Sequence, residues 1–208
     1  PLVDTGCDSY ASWDPRFKHL SPMLQTEAVA DRLTQLTPNN KWVQSNGNDV
    51  HLVITGGEPL LGWQRAFPEL LENDKMKDLI NITFETNGTQ KIHPEFGEYM
   101  KSWSKARGDS YHSDITFSVS AKLSASGEKW EDAVKPEIVA DYEQYGTTYL
   151  KFVVENPKDF DEVDRAVKAY REAGLKGVVY IMPVGGVVSV YENNKFNVAD
   201  ECMKRGYN

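Results

Sequence analysis

His51 to Leu61 reads HLVITGGEPLL, and the fold turns on this stretch. An apolar run of strand length, Leu52 to Ile54, meets Thr55, two glycines, a carboxylate and a proline, so a buried strand stops abruptly where bare backbone is presented. Glycines at 56 and 57 permit positive φ and let a ligand approach the main chain, while Pro59 removes a donor and ends the pairing. Glu58 then sits at the C-terminal mouth of a strand, where α/β proteins place their chemistry. A tight strand-to-helix turn that binds nothing would use the same residue types, so the rest of the chain has to decide between the two.

Upstream, residues 1 to 22 carry turn formers and aromatics without a sustained period and read as a loop. Thr26 is placed to cap a helix from Glu27 to Leu36, with Val29, Leu33 and Leu36 on one face and Pro38, Asn39 and Asn40 ending it. The strand itself spans 50–55. Downstream, a short helix turns Phe67, Leu70 and Leu71 inward, and a strand at 80–84 ends in Glu85, Thr86, Asn87 and Gly88. Pro94 opens a helix with Phe96, Tyr99, Met100 and Trp103 at helical spacing. The second half repeats this rhythm: a strand at 115–119 running into Ser120, Ala121 and Lys122, a helix from Pro136 with Ile138, Val139, Tyr142 and Tyr145 on one side, and a strand at 147–154. A helix from Asp159 or Asp161 turns Phe160, Val163, Val167 and Tyr170 inward and stops at Gly174, before a strand at 178–182 and a last helix, capped by Asn197, with Val198 and Cys202 on one face.

Alternating strands and helices with mostly apolar strands imply an α/β chain with a parallel sheet covered by helices. Five strands are too few for a closed eight-stranded barrel, which leaves an open or partial barrel or a doubly wound sheet. The polar strand ends, Thr55 to Pro59, Glu85 to Gly88, Ser120 to Lys122 and Pro183 to Gly186, then fall at one end of the sheet.

The 208 residues suffice for one domain with a sizeable core. With 23 basic against 31 acidic residues, a formal charge of -8, the chain lacks the basic excess that a general nucleic-acid or membrane-surface binder uses, and a small polar substrate is more natural. Apolar runs are all of strand length and no signal-peptide pattern opens the chain, so we expect a cytoplasmic protein. Two cysteines, Cys7 and Cys202, suggest a reducing compartment rather than a stapled scaffold, and Cys202 on its apolar face reads as core. The histidines at 19, 51, 93 and 112 show no metal-ligand spacing. The chain opens at Pro1 without a methionine, which predicts a piece of a longer protein, truncated at both ends, that starts inside a motif.

TGGEP at 55–59 resembles the motif with which radical S-adenosylmethionine enzymes hold the methionine amino group of their cofactor. CDSYASW at 7–13 is similar to the end of the cluster loop in the 7-carboxy-7-deazaguanine synthases of that superfamily, TFETNG at 83–88 to its ribose-binding strand end, and SVSAK at 118–122 to the Ser-Pro-Lys of the same synthases. The resemblance runs from Cys7 to about Gly186. It implies that Cys7 is one of three thiolate ligands of a four-iron four-sulfur cluster, thiolates being soft, charged ligands suited to iron. The usual spacing would put a second cysteine at position 4, which is Asp4, so the other two are expected before Pro1 on a loop with an insertion. Glu85 would accept both hydroxyls of the adenosyl ribose, and Ser120 with Lys122 would clamp the cofactor carboxylate, Ala121 replacing proline. Met182 to Gly185 stands in place of a Gln-Pro-x-Ser segment, so only backbone contacts at Pro183 and Val184 carry over. Ser9 replaces a threonine that helps hold magnesium beside the substrate.

The resemblance thus implies a single core domain, 1–208, folded as a partial, open TIM-like βα barrel. S-adenosyl-L-methionine would be bound by Asp8, Gly56, Gly57, Glu58, Glu85, Ser120, Lys122, Pro183 and Val184. Thr55 would contact substrate, and Cys7 and Ser9 would bind the cluster and Mg2+. The implied activity is a carbon-nitrogen lyase converting 6-carboxy-5,6,7,8-tetrahydropterin to 7-carboxy-7-deazaguanine for 7-deazapurine (queuosine-type) biosynthesis. It would draw electrons from an external donor such as flavodoxin, with room for a homodimer and no nucleic acid or membrane partner. Another radical enzyme such as a glycyl-radical activase, or a non-catalytic nucleotide-binding remnant of the fold, shares most of these features.

Overall fold

The computed structural model of the chain describes residues 10–107, 114–185 and 198–208. The segment expected as loop contains a short helix, α1 (Tyr10–Trp13), and a 3₁₀ turn, Pro15–Leu20. Asp14 explains the turn: its side chain accepts the Arg16 backbone N–H at 2.9 Å and Pro15 follows at the first helical position. Next come α2 (Thr26–Leu36), β1 (His51–Ile54), α3 (Phe67–Leu71), β2 (Asn81–Thr86), α4 (Pro94–Arg107) and β3 (Asp114–Val119). Then α5 (Trp130–Ala133), α6 (Pro136–Tyr142), β4 (Thr147–Val154), α7 (Asp159–Glu172), β5 (Val179–Pro183) and a helical stretch at 198–205, α8, complete the described chain.

The strands form one five-stranded parallel sheet in the order β1-β2-β3-β4-β5. Sequential order means that among the described strands there is no point where the winding reverses, the hallmark of the doubly wound sheet. In register, His51 faces Asn81 and Ile54 faces Phe84, while Leu150 faces Val179 and Val154 faces Pro183. No helix among the described residues is long and apolar enough to cross a membrane.

Contacts divide the described chain into two compact units. One holds residues up to Glu85 together with 91–107 and 114–116. Its centre is an aromatic cluster in which Phe67 of α3, Phe84 of β2 and Phe96 of α4 have ring centroids 5.5 to 6.0 Å apart. The indole N–H of Trp42, a buried residue, ties this core to the Lys75 carbonyl at 2.8 Å. The other unit holds 86–90 and the described chain from Phe117 onward. There Phe117 packs against Tyr142 at 4.8 Å, with Leu150, Phe152, Val154, Phe160, Val163 and Tyr170 fully buried.

β2 and β3 bury consecutive residues, Ile82 to Phe84 and Phe117 to Val119, whereas β4 and β5 are buried along one row. In β4, Thr148, Leu150, Phe152 and Val154 are buried and Val153 is exposed; in β5, Val179 and Ile181 are buried while Tyr180 and Met182 are exposed. Val53 of β1, expected inside a fully buried strand, is half exposed. A row of open side chains is what alternation produces where one face of a strand is left uncovered.

Several local expectations change. Gln25 stands at the N-cap of α2, and Thr26 instead donates its hydroxyl to Glu69. Ala30 carries the burial of α2, while Leu36 points outward because the buried Thr37 turns the chain, its hydroxyl donating to the Thr34 carbonyl at 2.7 Å. α6 ends at Tyr142, before Tyr145. β2 extends through Glu85 and Thr86, because the ladder continues: Ser120 donates its backbone N–H to the Thr86 carbonyl at 2.8 Å. Glu85 is therefore within the strand, not past it.

Candidate functional site

In the first unit the candidate residues gather at the end of β1. Gly56 and Gly57 have φ of +86° and +52°, so the chain leaves the strand through two consecutive left-handed residues that few side chains would tolerate. Glu58 closes the next turn: its Oε1 accepts the Leu60 N–H at 3.1 Å and its carbonyl accepts the Leu61 N–H at 3.1 Å. Part of the Glu58 carboxylate is thus spent on shaping the loop. Pro59 and Leu60 are buried beneath it, while Thr55 and Gly57 are exposed. Glu85, half-buried, lies one residue beyond the Ile54–Phe84 pair, so it flanks Thr55 on the neighbouring strand.

α1 comes to this loop as well. A methyl group added at Gly56 would meet Ser12 Cβ at 3.6 Å, which puts the residue five positions after Cys7 beside the glycine pair. Sequence reasoning did not single out Ser12, although it stands inside the CDSYASW motif. Nearby, hydrogen bonds from the Arg16 guanidinium and backbone hold the Asp14 carboxyl below the usual carboxylate range.

In the second unit, Ser120 and Lys122 follow β3. Lys122 is exposed between Ala121 and Leu123, both buried, so the chain is anchored on either side of an exposed ammonium. Its Nζ lies 3.4 Å from Ser120 Oγ, and among the described residues no carboxylate is in ion-pair range of it. A hydroxyl and an unneutralised ammonium side by side form a receptor for an anion such as a carboxylate. Pro183 ends β5 opposite Val154, and Val184 donates its N–H to the Val154 carbonyl at 2.8 Å, which occupies one of the backbone groups expected to meet a ligand. Gly88, in the same unit, has φ +77° and no room: a Cβ there would lie 2.7 Å from Val119 and 2.8 Å from Val139.

Cys7, Asp8 and Ser9 lie outside the described residues, as do His112 and Gly186. Among the described residues no group of three His, Cys, Asp or Glu is placed to hold a metal ion. Cys202 is a free, buried thiol whose pKa burial pushes up, in keeping with a core role. A shallow depression of about 370 Å³, lined by Arg171, Lys176, Gly177 and Tyr207 among others, sits at the opposite end of β5 from Pro183 and involves none of the candidate residues.

Over all 208 residues the chain is 31% identical to 7-carboxy-7-deazaguanine synthase of Pyrobaculum aerophilum, covering 77% of that protein. The chain belongs to the 7-carboxy-7-deazaguanine synthase family. A second synthase of the same name, from Halobacterium salinarum, is 30% identical over 97% of the chain and 72% of its own length. No protein-family model matches the chain, and no solved structure does. The synthase resemblance noted from four short motifs therefore extends through the segments between them, including both units.

Proposed function

We propose that the chain is the core domain, 1–208, of a radical S-adenosylmethionine carbon-nitrogen lyase with a partial TIM-like βα barrel. The reaction is conversion of 6-carboxy-5,6,7,8-tetrahydropterin to 7-carboxy-7-deazaguanine with loss of ammonia. The observation that carries this reading is the match, over essentially the whole chain, to two proteins named for that product. The sequential order of the parallel strands supports the barrel, since a βα barrel adds its strands in chain order.

The described residues fit the cofactor. The consecutive positive-φ glycines leave main-chain groups bare for its amino acid end, and Lys122, which meets no carboxylate among the described residues, suits its carboxylate together with Ser120. Glu85 is positioned to accept a ribose diol, and Thr55 beside it to meet the substrate. Cys7, with two cysteines from a longer chain, is assigned to the four-iron four-sulfur cluster, Asp8 to the cofactor, and Ser9 to Mg2+. The cluster and S-adenosylmethionine supply radical chemistry when bound, with an electron donor of the flavodoxin type. The protein's own part is to bind, orient and exclude water.

The test uses the full-length protein, purified anaerobically and assayed for 7-carboxy-7-deazaguanine from carboxytetrahydropterin with and without magnesium. Product that depends on magnesium, with Ser9→Ala impairing turnover while iron content and S-adenosylmethionine binding stay normal, is the expected result. Cluster-loaded protein that forms no product under either condition overturns the substrate assignment. Normal iron content in Cys7→Ala removes Cys7 from the cluster.

A further inference from the structure

Gln64 lies in the loop between β1 and α3, is 1% exposed, and belongs to none of the motifs discussed above. A buried primary amide is costly unless its groups are paired, and here both ends of the amide are used. Its Nε2 donates to the Leu60 carbonyl at 2.9 Å and to the Lys91 carbonyl at 2.8 Å, and its Oε1 accepts the His93 N–H at 2.8 Å. All three partners are main-chain groups. Two of them belong to the segment leading into α4, and one belongs to the turn that ends the glycine loop.

The Leu60 contact matters because of what Leu60 closes. Its N–H is held by Glu58 Oε1, and the Glu58 carbonyl takes the Leu61 N–H, so residues 58–61 form a locked turn directly after Gly56 and Gly57. The glycine pair itself has little intrinsic preference for one backbone conformation. Whatever aims its bare main chain must come from the turn that follows and from what holds that turn.

We propose that Gln64 is a positioning residue for the glycine loop, fixing the 56–60 main chain against residues 91–93 so that its backbone groups are pre-aligned for the amino acid end of S-adenosylmethionine. This rests on the cofactor reading given under Proposed function. Preorganised main-chain acceptors bind an amino group more tightly than mobile ones, because the ordering is done before the ligand arrives. Gln64 therefore acts on affinity through the loop without touching the cofactor.

Gln64→Met keeps the volume and removes all three hydrogen bonds. In the full-length protein, studied well below its melting temperature, S-adenosylmethionine affinity by calorimetry is expected to fall about tenfold or more. Amide hydrogen exchange in the unliganded protein should speed up at His93, which loses its acceptor, and at Leu60 and Leu61. Trp42→Phe, which removes a buried hydrogen bond of the same unit remote from the loop, is the matched control and should leave affinity within about twofold of wild type. Gln64→Glu is the second variant. A carboxyl buried there is biased toward its protonated form and then offers one donor and one acceptor. Its affinity should lie between those of the other two and improve as pH falls. Unchanged affinity in both Gln64 variants, or equal losses in Trp42→Phe, overturns the positioning role while leaving the cofactor site standing. Wild-type protein that does not bind S-adenosylmethionine at all overturns the cofactor reading and this inference with it.

Discussion

The ends of β1 and β3 expose opposite kinds of chemistry. After β1 the chain offers main chain: two positive-φ glycines, with the nearest carboxylate, Glu58, bent back onto its own turn. After β3 it offers side chains: an exposed Lys122 and a Ser120 hydroxyl on a segment anchored by buried neighbours. Their glycines differ in the same sense. An added Cβ at Gly56 would meet Ser12 only at ordinary contact distance, 3.6 Å, whereas one at Gly88, in the unit that carries the Lys122 tip, would clash with Val119 and Val139. A backbone site is defined by conformation and answers to strain, while a side-chain site is defined by charge and answers to deletion.

The largest expected effect follows from the crowded glycine. Gly88→Ala adds both left-handed strain and a clash, so chemical denaturation should show a loss of about 2–5 kcal/mol. A loss under about 1 kcal/mol would mean that the second unit yields easily around its glycine, erasing the contrast. Next is Lys122→Ala, which should weaken S-adenosylmethionine binding by roughly 1.5–3 kcal/mol while leaving the melting temperature in place. An unchanged dissociation constant by calorimetry would remove the charge clamp. Gly56→Ala is smaller: the added methyl meets Ser12 at an ordinary 3.6 Å, leaving only conformational strain of about 1–2 kcal/mol. If it equals Gly88→Ala in urea titrations, space is not what separates the two.

The smallest effect is at Asp14. Arg16 lowers its folded-state pKa, so its ionised form contributes stability above the unfolded aspartate value of about 3.9 and loses that contribution as pH falls through the lowered value. Asp14→Asn should lower the melting temperature slightly at neutral pH, with the gap to wild type closing in acid. A gap that persists at low pH would assign the effect to packing instead.

What could be read from the residues follows from range. The strands, the glycine turn and the order of the motifs were legible because alternation, glycine and proline act on their immediate neighbours. The placement of Glu85 inside β2 was not, because the bond that prolongs the ladder comes from Ser120. Gln64 was illegible for the same reason: two of its partners are 27 and 29 residues away, and a lone glutamine among turn residues looks like surface. Thr26 misled because a cap and a side-chain partner on another helix, Glu69, call for the same hydroxyl. Ser12 was visible as a letter in a motif, but only the fold brings it beside Gly56.

The alternation along β4 and β5 has a consequence for how such a chain can change. Leu150, Phe152, Val154, Val179 and Ile181 hold the sheet to its helices, whereas Val153, Tyr180 and Met182 on the same strands are exposed. Stability and surface chemistry are therefore written in alternate letters of one strand, and substitution in the open row costs less folding stability than in the buried one. Lineages can drift there, trying new shapes and charges one residue at a time, while the interleaved row keeps the scaffold unchanged.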